Sequence, residues 1–397
     1  MANKLRRYIR LKKYKSQEAF YRYFEDHISI IDKIRDNGYK AYFIGGCVRD
    51  ALMGRNPTDF DIATNAKPEE IKMLFDYVKE TGIAFGTVTV FFNNISYEIT
   101  TFRNEYGYTD YRKPDLIIFS NSLYDDIRRR DFTINSLAYD GLWIYDYFEA
   151  YEHIKKKIIK TVGSAKRRFR EDALRILRAA RFACVLGFEI DSNTLANMSK
   201  YSYLIKEISK ERIYSELYKI IEKADDLSIL VETGIADQIF IYPHQINTKS
   251  IKGITFECRF TYLFSNYPDQ QMVIEELKNL KVDKRTSGVV LEVLKYSDVD
   301  TDEKSIRKLL TLIKKNSISV LLEYKGQSQK VFDDVITKGY ISEINDLDIS
   351  GHDIMALGYP QNSIKEIKKM LFEKVIYDIS LNKKKTLIDI IKTQIII

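Results

Sequence analysis

The rhythm of apolar and polar positions changes once along the chain. Up to about Tyr145, short apolar runs alternate with helical signals. Ala41 to Ile44 has strand character, and a helix covering Val48 to Met53 starts after Gly46. Asp59 to Ile62 reads as a strand behind Pro57, and a further helix opens at Pro68 in "AKPEEIKMLF". "GTVTVFF" (Gly86 to Phe92) and "ISYEITTF" (Ile95 to Phe102) are two strands around Asn93-Asn94, a hairpin signal. This pattern predicts a small mixed α/β domain. From about Phe169 the period becomes helical. "FREDALRILRAARFACVLGF" carries a stripe of Leu174, Ile176 and Leu177, and Ser209 to Ala224 is a second helix. The remainder reads as helices with short polar loops, punctuated by Gly351 and Pro360, without an internal repeat.

Composition narrows the class. With 397 residues, 45% apolar and 30% charged, the chain fits an ordinary soluble protein of two to four domains. Basic residues exceed acids by 63 to 56, a net charge of +7. The excess is uneven: Met1 to Lys15 holds seven bases and no acid, and Lys155 to Arg170 is basic too. Such blocks suggest a polyanion partner such as nucleic acid, although a basic arm is equally a solvated tail. Cys47, Cys184 and Cys258 are too few and too scattered for a disulfide framework or zinc site, and free thiols suit the cytoplasm. No apolar run reaches ~18 residues, so no membrane span is expected. No apolar stretch follows the basic N-terminus, so no secretory signal is expected. His27, His153, His244 and His352 lie too far apart to suggest a histidine-based metal site.

Candidate chemistry starts at Asp59 and Asp61. In a strand, positions i and i+2 share a face, so the two carboxylates would project together and repel unless a cation lies between them. A hard cation with oxygen ligands, Mg²⁺ first, suits that place, and Glu98 in the Ile95 to Phe102 strand offers a third acid. Alone, such a pair is as easily a surface feature. Its neighbours change the picture. Strand, Gly45-Gly46, then helix puts backbone N–H groups at a helix start, where an anion such as a triphosphate can approach, and Arg49 adds a donor. No G-K-[ST] follows, so this is not a P-loop. Acids for metal beside donors for phosphate suggest nucleotidyl transfer, in which two metals activate an attacking hydroxyl and stabilise leaving pyrophosphate.

Two later blocks add to this. "DIRRRDFTINSLAYD" (Asp126 to Asp140) supplies arginines for phosphate and Asp131 as an acceptor for a ribose hydroxyl; a salt-bridged helix start is the plainer reading. In "REDALRILRAAR", a continuous helix would set Asp172, Arg175 and Arg178 at i, i+3 and i+6 on roughly one face, with Arg181 further round. The plainer reading is a surface ion pair. The sharper one is base selection. Cytosine and adenine present an amino donor beside a ring-nitrogen acceptor, which a carboxylate and a guanidinium match. Guanine and uracil present the opposite pattern and would leave polar groups unpaired.

In this order, "GGCVRDALMGRNPTDFDIAT", "FGTVTV", "YEITTFR", "RRDFTINSLAYD", "REDALRILRAARFA", "ISKERIYSEL" and the C-terminal "DISGHDIMALGYP" resemble the class II tRNA nucleotidyltransferases. These are the CCA-adding enzymes and, close to them, the bacterial poly(A) polymerases. The likeness covers most of the chain and is weakest from about Phe240 to Tyr340. It implies an α+β fold: a polymerase-β-like head with a mixed sheet at residues 1–145, then a helical neck (146–210), body (211–300) and tail (301–397). It implies that Asp59 and Asp61 hold catalytic Mg²⁺, and that Gly46, Arg49 and Arg130 contact the nucleotide's phosphates and sugar. Asp131 would lie at the ribose. Asp172 and Arg175 would read the base, with Arg178 and Arg181 completing the pocket. The implied reaction adds C, C and A to the 3′ end of tRNA from CTP and ATP; an A-adding enzyme or poly(A) polymerase is the alternative. The implied partner is the tRNA acceptor arm.

Two positions depart from the family pattern. Phe85 stands where a basic residue or histidine is usual before "GTVTV", and "DYFEAYEH" (Asp146 to His153) replaces the usual "DPFGG". The segment Arg103 to Phe119, shortened in members that add only C, is present at full length. No phosphohydrolase motif of the His-Asp type follows, so no extra hydrolase activity is expected.

Overall fold

The computed structural model describes residues 11–109, 114–249 and 251–394. Most of the basic N-terminal block and four residues of the segment 103–119 lie outside them. The chain divides into two compact units, Met1–Lys223 with Leu227–Ile239, and Ala224–Asp226 with Phe240–Ile397.

The first unit is built on ten strands before residue 150: β1 Lys12–Lys15, β2 Ala41–Ile44, β3 Phe60–Thr64, β4 Val78–Gly82, β5 Thr87–Phe92, β6 Ile95–Thr101, β7 Arg103–Tyr106, β8 Leu116–Phe119, β9 Leu137–Tyr139 and β10 Trp143–Asp146. Eight form one mixed sheet in the order β1-β10-β9-β2-β3-β6-β5-β4, while β7 and β8 form a separate ribbon. Within the large sheet β3 and β6 run parallel. The central strands are apolar on both faces because both are covered. Phe43 packs with Phe24 and Tyr139, ring centroids 5.0 and 6.5 Å away. Its neighbour Ile44 points the other way, into a cluster with Phe102, Leu123, Ile127 and Ala138.

Local chemistry explains several element ends. Asn93 and Asn94 both take positive φ (49° and 63°), the conformation a two-residue hairpin turn requires. The helix Pro68–Leu74 starts with proline in its first turn, and Glu70 accepts from Lys67 N at 2.6 Å. The segment that departs from "DPFGG" turns without glycine. Glu149 takes the left-handed conformation (φ 60°), and the buried Asp146 carboxylate accepts from the N–H groups of Phe148, Ala150 and Tyr151, each at 3.0 Å. Three backbone donors on one side chain hold a bend that glycine would otherwise ease.

After residue 150 the chain is largely helical, apart from a short parallel pair, Ile158–Ile159 with Glu189–Ile190. One expectation needs correction. "FREDALRILRAARFACVLGF" is not a single helix but two, Ala165–Glu171 and Leu174–Leu186. Asp172 between them is extended (φ −142°, ψ 108°). Its side chain accepts from Leu174 N at 3.1 Å, the local aspartate bond that competes with helix continuation. Asp172 is therefore off the helix that carries Arg175, Arg178 and Arg181.

The second unit is helical around two apolar clusters. One gathers Val289, Val293, Ile306, Leu309 and Leu321, the other Ile354, Leu371, Val375, Leu387 and Ile391. Thr255, Asp269, Asp283, Asp302 and Ser350 each cap a helix N-terminus with the side chain. Among the described residues no helix is long and apolar enough to cross a membrane.

Candidate active site

Two cavities in the first unit divide the twelve residues singled out from the sequence. The larger, of about 630 Å³, takes ten: Gly45, Gly46, Arg49, Asp59, Asp61, Glu98, Arg130, Asp131, Arg178 and Arg181. The smaller, of about 340 Å³, takes Asp172 and Arg175. A further cavity of about 630 Å³, between Tyr14, Phe20, Tyr23 and Tyr151, has no carboxylate in its wall.

Three of the four acids of the larger cavity, Asp59, Asp61 and Glu98, lie on or beside two parallel strands. Asp61 on β3 lies directly across the ladder from Glu98 on β6, and Asp59 precedes β3 by one residue. Burial pushes the Asp61 carboxyl up; Arg130 and Arg178 oppose the rise, and Asp59 adds to it. Glu98 is pushed up by burial and then by Asp61. Carboxyls that raise one another are short of a cation. Among the described residues no group of three or more His, Cys, Asp and Glu side chains is arranged to hold a metal ion. Two aspartates with a nearby glutamate still fit Mg²⁺, which takes one or two carboxylates and completes its shell with water and substrate phosphate.

Opposite the acids stand the donors. Gly45 takes φ +84° and ψ −127°, a region almost reserved for glycine, and leads into the helix Gly46–Leu52. A Cβ at Gly45 would lie 3.3 Å from Arg130 Nη1 and 3.8 Å from Asp61 Oδ2, so the missing side chain is what lets them approach. Arg49 is buried; its Nη1 donates to Asn135 Oδ1 at 2.6 Å and its Nε to Asp50 at 2.9 Å. Asp131 accepts from Arg178 Nε (2.8 Å) and from Phe132 N (2.7 Å). Arg181 Nε lies 2.7 Å from Glu216 Oε2, an ion pair angled too poorly to count as a hydrogen bond. Arg49, Arg178 and Arg181 surround the ring of Phe182, their guanidinium carbons 5.4, 5.5 and 4.4 Å from its centroid.

In the smaller cavity Asp172 and Arg175 are near one another, yet each is held by a third group. Asp172 accepts from Arg212 Nη2 at 3.0 Å. Arg175 Nη1 donates to Glu171 Oε2 at 2.7 Å, and its Nη2 to the Arg129 carbonyl at 3.0 Å. Phe85, the departure from the usual basic residue, is in the same wall, beside Arg103, Glu105 and Tyr108. Among the described residues three buried guanidinium N–H groups make no hydrogen bond: Arg130 Nε, Arg212 Nη1 and Arg181 Nε, the last of which still faces Glu216. Each arginine lines one of the cavities. A buried donor without an acceptor costs about 1–3 kcal/mol, and a bound acceptor relieves it.

Sequence reasoning passed over the partners. Asn135, Phe182, Glu171, Arg212 and Glu216 had no assigned role, and Asp126 was only the first letter of a block. For some the signal was weak because the partner lies far along the chain: Arg212 and Asp172 are 40 residues apart, and Arg181 and Glu216 are 35 apart. For Asp126 and Glu171 the three- and four-residue spacing to their arginines was a signal that could have found them.

Comparison with known proteins agrees with this geometry. Residues 41–160 match the poly A polymerase head domain, and residues 187–247 match the probable RNA and SrmB-binding site of polymerase A. The chain is 46% identical over 215 residues to a CCA-adding enzyme of Limosilactobacillus fermentum, covering 54% of this chain and 52% of that one. It is 42% identical over 245 residues to a CCA-adding enzyme of Lactococcus lactis, covering 60% of each. The chain thus spans about half to three fifths of the length of these curated relatives. Among solved structures, the CCA-adding enzyme of Bacillus stearothermophilus in complex with CTP superposes with a TM-score of 0.76 at 26% identity, over 94% of this chain and 98% of that one. The Thermotoga maritima CCA-adding enzyme complexed with tRNA shares the fold at a TM-score of 0.66 and 17% identity, over 96% and 99%. The head-domain match lies over the sheet and its site, and the second match lies in the segment that follows.

Proposed function

We propose that the protein is a template-independent RNA nucleotidyltransferase that adds C, C and A to the 3′ end of tRNA, using CTP and ATP and releasing pyrophosphate. The observation that carries this reading is the single cavity in which Asp59, Asp61 and Glu98 face Arg49, Arg130 and the Gly45–Gly46 turn. Curated relatives named CCA-adding enzymes support the choice of reaction. Free thiols and bacterial relatives support a cytoplasmic setting.

Asp59 and Asp61 would hold Mg²⁺, two ions in the mechanism we infer, which when bound acidifies the attacking 3′-hydroxyl and neutralises charge on the α-phosphate and leaving pyrophosphate. The chain's own residues do the rest. Arg49 and Arg130, with the backbone at Gly45 and Gly46, bind the triphosphate, and both guanidinium groups are already fixed by Asn135, Asp50 and Asp126. Donors fixed before substrate arrives need no reorganisation during reaction. Asp131 accepts from the ribose while Arg178 keeps it ionised. Asp172 and Arg175 read the Watson–Crick edge of the base, selecting C and A over G and U.

The test is incorporation. A tRNA transcript lacking its 3′ CCA, with Mg²⁺ and CTP plus ATP, should gain C, C and A and then stop, read by sequencing the new ends. Addition of A alone, to RNA ending in CC or to any RNA, would instead assign an A-adding enzyme or poly(A) polymerase. Asp61→Ala should abolish incorporation and leave RNA affinity unchanged; lost RNA affinity would refute its assignment to metal.

A further inference from the structure

Asp126 lines neither cavity, yet it is bonded to an arginine of each. It lies in the short helix Leu123–Arg128 with no exposed surface. Its Oδ1 accepts from Arg129 Nε at 2.9 Å and Nη2 at 2.5 Å, and its Oδ2 accepts from Arg130 Nη2 at 3.0 Å. Arg129 lines the smaller cavity and Arg130 the larger. The connection continues through the backbone. The Arg129 carbonyl accepts from Arg175 Nη2 at 3.0 Å, and Arg130 Nη1 would lie 3.3 Å from a Cβ at Gly45. A single carboxylate thus sets the direction of two consecutive guanidinium groups toward two different sites.

We propose that Asp126 is a positioning residue that couples the two cavities, so that the phosphate-side and base-side donors are set by one buried charge. The proposal rests on the reading of the protein as a nucleotidyltransferase. Asp126 touches no substrate in this scheme and acts only through Arg129, Arg130 and the carbonyl that holds Arg175. The carboxyl is held below its ordinary range: burial pushes it up, and Arg129 and then Arg130 outweigh that. It therefore stays charged at neutral pH, as the role requires.

The test is Asp126→Asn, assayed with CTP, ATP, UTP and GTP on a tRNA transcript. Positioning predicts two simultaneous defects. KM for CTP and ATP should rise by roughly tenfold or more, because Arg130 loses its direction, and discrimination against UTP and GTP should fall by roughly tenfold, because Arg129 and Arg175 shift. Arg130→Gln should reproduce the first defect without the second. In the Asp126→Asn/Arg130→Gln double variant the KM effect should be less than the product of the two single effects. A multiplicative effect, or a loss of kcat with KM and discrimination unchanged, would overturn the proposal in favour of a purely structural role. If Asp126→Asn does not fold, judged by Trp143 emission, Asp126→Glu keeps the charge and shifts it by one methylene. Both defects together support the proposal and either alone overturns it. CTP binding by calorimetry separates this idea from the functional reading. If the wild-type chain binds CTP but extends no RNA, the functional reading fails; a roughly tenfold affinity loss in Asp126→Asn would still support positioning, and an unchanged affinity would refute it.

Discussion

Asp131→Asn keeps the size and most hydrogen-bonding capacity of the side chain and removes one charge from the cavity wall. The magnitude follows from the site. Burial alone would push the Asp131 carboxyl up, but the Arg178 guanidinium, its hydrogen bond and then Arg175 outweigh burial and hold the group down at about 2, against an ordinary 3.8. A difference of just under two units, at about 1.4 kcal/mol each, makes the ionised carboxylate worth roughly 2–3 kcal/mol to the folded state. The sign is set by the direction of the shift. A value depressed on folding contributes fully above the unfolded value near 4 and is lost as pH falls through the folded value, about 2. By about pH 3, roughly half has gone.

The assay is urea unfolding of the wild type and Asp131→Asn between about pH 6 and pH 3. Trp143, the only tryptophan in the chain, lies on β10 in the first unit, so its emission follows that unit alone. The stability gap between the two proteins should shrink by about 1 kcal/mol across this range. A gap of any size that does not change with pH would mean that asparagine disturbs packing and that charge does not fix the Arg178–Asp131 pair. The assignment of Asp131 as an ionised acceptor for a ribose would then fall with it.

Gly45→Ala forces a side chain into a backbone region that costs an L residue about 1–3 kcal/mol, and crowds Arg130. Incorporation should fall by roughly tenfold or more, with a lower urea midpoint for the first unit; an unchanged rate would show that the Gly45–Arg130 approach is not needed. Arg212→Met frees Asp172 from its partner and should raise UTP incorporation by roughly tenfold relative to CTP, with total rate less affected. Unchanged selectivity would remove Asp172 from base reading. Cys47 is fully buried, and burial pushes its thiol up to about 12, whereas Cys184 is half-buried. Iodoacetamide near pH 8 should alkylate Cys184 well before Cys47 in the folded protein, read by peptide mass; equal rates would mean that the helix Gly46–Leu52 opens readily.

What the sequence made legible was local. The Asn93-Asn94 turn needs two positive φ angles, and asparagine supplies them within the turn itself. Gly45-Gly46 marks a strand-to-helix turn through backbone sterics at one residue. Asp59 and Asp61 reach one cavity because a two-residue period carries over the start of β3. What stayed hidden depended on distance or on competition. The break at Asp172 arises because a side-chain bond to Leu174 N competes with the helix that leucine and alanine favour on both sides. The pairs of Asp126 and Glu171 follow helical spacing, but Asp131 with Arg178 and Asp172 with Arg212 meet only when residues 40 or more positions apart are brought together, and no periodicity encodes that. The boundaries at 145, 210 and 300 are those the resemblance implies; the chain's contacts divide it into two compact units.

The distribution of charge in the first unit follows one logic. Asp126 takes Arg129 and Arg130, Glu171 takes Arg168 and Arg175, Asp131 takes Arg178, Glu216 takes Arg181, and Asp172 takes Arg212. Ion pairs this buried are poor stabilisers, since desolvation offsets most of their attraction. Apolar residues of equal volume would give a more stable unit. What the pairs provide is direction: each acid fixes one face of a guanidinium, and in Arg168 and Arg175 backbone carbonyls fix the rest. The N–H groups without hydrogen bonds on Arg130 and Arg181 in the larger cavity and on Arg212 in the smaller are the visible remainder of that arrangement. A site built to meet phosphate and a base edge gains from such donors only when they are fixed in advance, because a mobile arginine would give back in ordering what it gains in charge. The stability forgone in burying four of these carboxylates, Asp126, Asp131, Glu171 and Glu216, fits a ligand that carries the missing acceptors.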